Sequence, residues 1–209
     1  MNDIVVYAIG FIAQILFTSR TFIQWIISER KKKVVNPTIF WYISLLASCI
    51  MIAYGIMRED APIILGQLIP YFIYVRNIQL KDKWDIIPSW IRFPILTLPL
   101  FALLIIVFFH QGVFENILNN EEISTSLFIL GITGQFLFTM RFILQWIYSE
   151  KRKKSVLPSL FWICSIVGST LILGYGIWRQ DPVLILGHVT GLIVYFRNLY
   201  LWYRSNGKL

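Results

Sequence analysis

Groups that titrate, ligate or attack are scarce in this sequence: two histidines, two cysteines and 14% charged residues among 209. With only His110 and His188 available, no Ser/His/Asp or Cys/His set can be assembled, and no catalytic or metal site is expected. Cys49 and Cys164 lie inside apolar runs at positions that do not correspond in the two halves of the chain. That excludes an obvious disulfide or metal pair and leaves both as small hydrophobes. Missing as well is the two-residue alternation of outer-membrane barrel strands. The N-terminus carries Asp3 where a leader would be basic, and no small-residue cleavage site follows, so its first apolar run is read as a retained span.

What is present is apolar surface. A chain that is 57% hydrophobic and 16% aromatic holds more than one soluble core of this size would hide. Several runs of about 20 apolar residues match the ~30 Å hydrocarbon layer of a bilayer. The expectation is an all-α integral membrane protein. Its net charge of +8 is spread over short clusters at the ends of apolar runs, which points to membrane orientation rather than to a nucleic-acid partner.

The stretch from Gln14 to Glu29 recurs from Gln135 to Glu150, and laying residues 10–80 on 131–201 at an offset of 121 gives 31 identities in 71 positions without a gap. This is a tandem duplication. Each copy contains three apolar runs, near 4–27, 38–57 and 61–80 and again near 124–148, 159–178 and 182–202, with one more from Trp90 to Phe109 between them. Three crossings reverse the chain's side of the membrane, so two copies of the same orientation need one extra helix. The predicted architecture is seven transmembrane helices in a 3-1-3 arrangement: a first three-helix repeat over 1–83, a linker helix and outer loop over 84–122, and a second repeat over 123–209, the repeats being parallel.

In that arrangement Arg30–Lys33, Lys81, Lys83, Lys151–Lys154, Arg204 and Lys208 share one side, which the positive-inside rule makes cytoplasmic. Asp3, the Arg58–Asp60 turn, Glu115, Glu121, Glu122 and the Arg179–Asp181 turn share the other. The N-terminus is thus expected outside and the C-terminus inside. Pro37 and Pro158 mark the starts of second helices, and Asp181-Pro182 reads as cap and first residue of another.

The polar residues inside the runs are the candidates for function. On a 100° wheel Gln14, Thr18, Gln24 and Ser28 share one face of the first helix with Arg20 about 40° away, and Gln135, Thr139, Gln145, Ser149 and Arg141 repeat the stripe. A buried arginine is costly, roughly 3 kcal/mol at a helix centre on insertion scales. Arg76-Asn77 and Arg197-Asn198 close the third helix of each copy at the same depth. Ten residues therefore form the predicted binding set: Gln14, Arg20, Gln24, Arg76, Asn77, Gln135, Arg141, Gln145, Arg197 and Asn198. Forked guanidinium donors suit phosphate, and with no acid inside the apolar runs the counter-charge is expected from a ligand. The alternatives are snorkelling of Arg20 toward the interface and, for Arg76 and Arg197 alone, interfacial anchoring together with Tyr74 and Tyr195. Trp25, Trp146, Trp41, Trp162, Trp84 and Trp90 fall near span ends and read as an aromatic belt. Gly66 and Gly187 read as close-packing positions, beside Gln67 and His188.

The pattern Q-x2-F-T-x-R-x3-Q-W-x2-S-E, then P-x2-F-W-x2-S-x3-S, Y-G-I-x-R-x-D and Y-x-R-N, present twice and covering 142 of the 209 residues, resembles the small membrane domain at the N-terminus of some lipid-A-disaccharide synthases. That domain is distantly similar to the SWEET/PQ-loop transporter superfamily, which implies the same 3-1-3 architecture and an external N-terminus. The resemblance further implies a bacterial inner-membrane location and a role in lipid A or other glycolipid biosynthesis. The resemblance covers only that membrane domain and not the soluble glycosyltransferase part, so synthase activity is not expected to carry over. Val34 stands where the second copy has Ser155, Ala47 where it has Gly168 and Ala61 where it has Pro182. The superfamily's Pro-Gln pair is missing from the first helix, and Pro70 is matched by Gly191, which argues against the usual rocking transport of free sugar.

The reading drawn from the sequence is a carrier or flippase for a phosphate-bearing lipid-linked sugar or lipid A precursor, needing no cofactor and no metal. Two other readings compete with it. One is a non-transporting adaptor that docks a cytoplasmic glycosyltransferase through Arg30–Lys33 and Lys151–Lys154, and the other is a SWEET-like carrier of free sugars.

Overall fold

A computed structural model of the protein describes residues 3–57, 61–109, 125–178, 180 and 182–206. The expected features at Arg58–Asp60, His110, Glu115, Glu121, Glu122, Arg179, Asp181 and Lys208 lie outside these. Among the described residues there are seven α-helices and no strand: α1 Asp3–Lys31, α2 Thr38–Met57, α3 Ala61–Gln79, α4 Ser89–Phe109, α5 Thr125–Arg152, α6 Ser159–Trp178 and α7 Pro182–Ser205. A short 3-10 turn, Trp84–Ile86, precedes α4. Among the described residues three stretches, Val5–Lys31, Thr38–Met57 and Ser159–Trp178, are long and apolar enough to cross a membrane.

Helices α1 and α5 run a turn beyond their apolar stretches and stop inside the lysine blocks for the same reason. Lys32 and Lys153 adopt positive φ angles of 50° and 51°. Their N–H groups bond Glu29 O and Glu150 O, and the next N–H groups, of Lys33 and Lys154, bond Ser28 O and Ser149 O at 3.2 Å. This pair of reversed bonds is the Schellman ending, which satisfies the last carbonyls. Asp82, φ 55°, ends α3 the same way, with Lys83 N–H on Ile78 O.

Past each ending the chain is clamped by polar groups of the preceding helix. Val35 N–H donates to Ser28 Oγ at 3.0 Å and Gln24 Nε2 donates to Val35 O at 3.1 Å. In the second copy Val156 and Ser149 meet at 3.0 Å and Gln145 donates to Val156 O at 3.0 Å. Pro37 and Pro158 stand one residue ahead of α2 and α6, their carbonyls accepting the first-turn bonds from Phe40 and Phe161.

The chain forms two compact units, one of Met1–Ser19 with Trp41–Asn120 and one of Arg20–Phe40 with Glu121–Leu209. The first keeps α4 packed on α3. Pro99 cannot donate to Ile95 O, four residues back, and Tyr71 Oη supplies the missing bond at 2.7 Å. With its hydrogen so used, Tyr71 Oη accepts from the Cys49 thiol at 3.4 Å.

In the second unit α6 packs against both α5 and α7. The α5–α6 crossing is close because Gly168 has no side chain: a Cβ there would lie 2.7 Å from Phe138 N and 3.0 Å from Gly134 O. Equivalent core pairs recur in both units, Trp41 with Tyr74 at 6.0 Å between ring centres and Trp162 with Tyr195 at 6.3 Å. Trp41 and Trp162 are thus core residues, 0% and 2% exposed, which corrects their placement in an aromatic belt. Trp146 and Trp90 are exposed as that placement requires. Gly66 is likewise corrected: no described neighbour lies within 4 Å of where its Cβ would be. The polar residues beside these glycines serve packed serines instead, Ser48 donating to Gln67 Oε1 at 3.0 Å and His188 Nδ1 meeting Ser169 Oγ at 3.1 Å.

Candidate functional site

The second unit brings two intramembrane-type arginines together. Arg20, from the later part of α1, is 6% exposed, and Arg141, on α5, is 4% exposed. Phe142 lies between them, its ring centre 5.6 Å from the Arg20 guanidinium carbon and 4.7 Å from that of Arg141. Phe40 covers Arg20 at 5.1 Å. Phe138 lies 3.4 Å from the Arg141 guanidinium carbon, with Phe161 and Tyr195 each at 5.5 Å. Nη1 of Arg141 donates to Ser165 Oγ at 3.3 Å and to Tyr195 Oη at 3.2 Å. A cation held over aromatic faces away from water gains about 2 kcal/mol per good contact, which offsets part of the cost of burying it.

Between these groups a small cavity is lined by Arg20, Thr21, Gln24, Phe40, Arg141, Phe142, Phe161, Trp162 and Tyr195. The lining contains two guanidiniums and no carboxylate. It has room for about one water. A phosphate therefore requires the aromatic shell to part, and the described conformation is closed around the arginines.

Three of the ten predicted binding residues, Arg20, Gln24 and Arg141, line this cavity. Gln145 is fully buried in the loop clamp, and Asn198 Nδ2 donates to Val194 O at 3.0 Å while its Oδ1 accepts from Gln24 Nε2 at 2.9 Å. Gln14 is half-buried and Gln135 exposed, and neither is among the lining residues. Arg76 and Asn77 belong to the other compact unit, where Arg76 Nη1 meets Gln79 Oε1 at 3.2 Å and Asn77 Nδ2 donates to Ile73 O at 2.8 Å.

Arg197 overturns one expectation. Its Nε donates to Glu29 Oε2 at 2.8 Å and its Nη2 to Glu29 Oε1, so for this arginine the counter-charge is supplied within the chain. Glu29 escaped notice as a partner because it sits at the end of its apolar run, where acids are ordinary. With Gln24–Asn198 and Asn36 Nδ2 donating to Ser155 Oγ at 2.6 Å, this pair ties the lysine-rich end of α1 to the second copy.

The sequence reading missed the aromatic lining. Phe40/Phe161, Trp41/Trp162 and Tyr74/Tyr195 are identical between copies, a usable signal, but boundary position favoured the belt. Tyr195, 8% exposed, is part of the arginine box rather than an interfacial anchor. Phe142 has no such signal, since its counterpart is Thr21.

The sequence pattern of the Lipid A Biosynthesis N-terminal domain matches residues 9–79 and again 130–200. Among curated proteins, the chain is similar to the lipid-A-disaccharide synthase of Chlamydia felis, 32% identical over 97% of this chain and 34% of that protein. It is similar also to those of Chlamydia pneumoniae, 30% identical over 95% and 34%, and Chlamydia trachomatis serovar D, 31% identical over 92% and 33%. The chain thus spans about a third of the length of the curated relatives it matches. No solved structure matches it.

Proposed function

The chain belongs to the Lipid A Biosynthesis N-terminal domain family, and from that premise we propose that it is a carrier, or flippase, for a phosphate-bearing lipid-linked sugar or lipid A precursor. It works in the bacterial inner membrane as seven crossings in a 3-1-3 order of parallel repeats, with its N-terminus outside and both lysine blocks cytoplasmic. The observation that carries the reading is the cavity lined by Arg20 and Arg141 without a carboxylate. Two cations held close in an apolar setting favour an anionic guest, because each guanidinium raises the cost of the other. A phosphate brings one to two negative charges and several acceptor oxygens to planar donors. Large exposed apolar side chains such as Ile15, Phe93, Phe101 and Phe136 suit lipid contact along the helices, and a lipid tail would leave between them.

A second reading is favoured by one fact: two thirds of each synthase relative lies outside the match. In those proteins the domain is joined to further chain, so a role in docking a glycosyltransferase at the membrane fits as well. Proteoliposomes separate the two. A carrier should equilibrate a fluorescent glycosyl phospholipid between leaflets at least about tenfold faster than protein-free vesicles, which lowers the barrier by about 1.4 kcal/mol. An unchanged rate in vesicles that contain folded protein would leave docking as the function.

A further inference from the structure

Gln24 and Trp162, both lining the cavity, each keep a buried polar atom that no described residue hydrogen-bonds. Gln24 is 0% exposed, and its Nε2 shares its two hydrogens among Ser28 Oγ at 2.8 Å, Val35 O at 3.1 Å and Asn198 Oδ1 at 2.9 Å. A backbone carbonyl accepts only, so Val35 O fixes which end of the Gln24 amide is nitrogen. Asn198 is fixed in the same way by its own donation to Val194 O. Gln24 Oε1 is therefore a true acceptor, and no described residue donates to it. Trp162, 2% exposed, presents a buried indole N–H with no described acceptor. Both residues line the same cavity as Arg20 and Arg141.

A buried amide or indole without a partner costs about 1–3 kcal/mol, and a site that keeps one of each specifies a guest with one of each. The N–H of Trp162 matches an anionic oxygen. Gln24 Oε1 needs a donor, which neither a phosphodiester monoanion nor a phosphate monoester dianion possesses. Resting on the phosphate reading above, we propose that the cavity recognises a glycosyl phosphate as one unit. Arg20, Arg141 and the Trp162 indole N–H hold the phosphate, and Gln24 Oε1 accepts from a hydroxyl on the attached sugar. Gln24 is thereby a specificity residue that reports the sugar, while its nitrogen holds the loop at Val35.

The test uses full-length protein in detergent and three single-tailed probes: decyl glucosyl phosphate, decyl cyclohexyl phosphate, and decyl glucoside. The first two have the same charge and ring size and differ in the sugar's polar groups, its hydroxyls being the donors. Wild-type protein should bind the glucosyl phosphate about tenfold tighter than the cyclohexyl phosphate, the worth of one hydrogen bond that would otherwise leave a buried acceptor unmet. The neutral glucoside should bind about a hundredfold more weakly than the glucosyl phosphate. Trp162→Phe should weaken both phosphates by about tenfold while keeping their ratio, because it removes only the phosphate donor. Equal affinity for the two phosphates in wild type, as a water serving Gln24 would give, overturns this inference and leaves the phosphate site standing. Failure of either phosphate to outbind the glucoside overturns the phosphate site itself. The ratio is read on wild-type protein, so it decides the matter even if Trp162→Phe does not fold.

Discussion

Protein carrying Arg20→Gln and Arg141→Gln together is expected to gain nothing in thermal stability from a lipid-linked sugar phosphate that stabilises the wild type. A ligand that binds only the folded state adds RT ln(1 + [L]/Kd), about 2.7 kcal/mol at about 100 times Kd. Removing both guanidiniums takes away the charge-assisted donors, each worth about 1.5–3 kcal/mol, so the affinity falls by several powers of ten and the shift vanishes. Without ligand the variant should melt no lower than the wild type, since two buried cations sharing Phe142 are exchanged for neutral amides of smaller desolvation cost. The conservative pair Arg20→Lys and Arg141→Lys should fail as a ligand site too: an ammonium cannot reproduce a planar fork lying 3.4 Å from the Phe138 ring centre. A full shift in the lysine variant would mean that charge alone suffices, and a full shift in the glutamine variant would place the ligand elsewhere.

The second large effect concerns the fold. Gly168→Ala is expected to destabilise the protein by ~1–3 kcal/mol, and Gly168→Leu to prevent folding of the second unit. A Cβ at Gly168 meets backbone, Phe138 N at 2.7 Å and Gly134 O at 3.0 Å, and backbone cannot rotate aside as a side chain can. The α5–α6 crossing must open, and Phe138 and Arg141 on α5 move with it. The corresponding residue of the first copy is Ala47, fully buried, so a methyl is accommodated there and Ala47→Gly should cost no more than about 0.5–1 kcal/mol of helix propensity. Melting temperatures of the two variants in one detergent check the contrast. Equal tolerance of alanine at both positions would contradict the close crossing.

The contrast between Ala47 and Gly168 also marks how far the sequence could be read. Helices, their order and their ends were legible because they follow from local rules: apolar runs of fixed length, prolines ahead of helices, and a duplication that provides each element twice. The Schellman endings at Lys32 and Lys153 were hidden, since lysine carries no sign of positive φ as glycine does. In the site, Arg20 and Arg141 stood out through the cost of burying charge. Their surroundings did not, because Phe142, Phe161 and Trp162 look like any other apolar residue in such a chain and only packing reveals what they cover. The structural roles of Gln145 and Asn198 were hidden for a related reason. An amide inside an apolar run suggests a ligand, yet Val156 O and Val194 O are nearer acceptors, made available by a loop and a helix turn that the wheel cannot depict.

Gln24 stands between the two classes, its nitrogen spent on the loop and on Asn198 and its oxygen without a described donor. The ion pair between Glu29 and Arg197 similarly moves Arg197 from the ligand set to the structure of the lysine-rich end. Of the ten predicted residues the cavity keeps Arg20, Gln24 and Arg141, and the rest of its lining, Trp162 and the other rings above all, is more apolar than the sequence suggested.

In the proposed function Arg20 and Arg141 hold the phosphate of a lipid. Native mass spectrometry of protein extracted in mild detergent, followed by mass analysis of the released lipid, tests it most directly. Wild-type protein should carry close to one phosphate-bearing glycolipid per chain, and Arg20→Gln with Arg141→Gln should carry none at equal yield and equal melting temperature. Wild-type protein free of anionic lipid, or an equal load of the same lipid on the double variant, would contradict the claim.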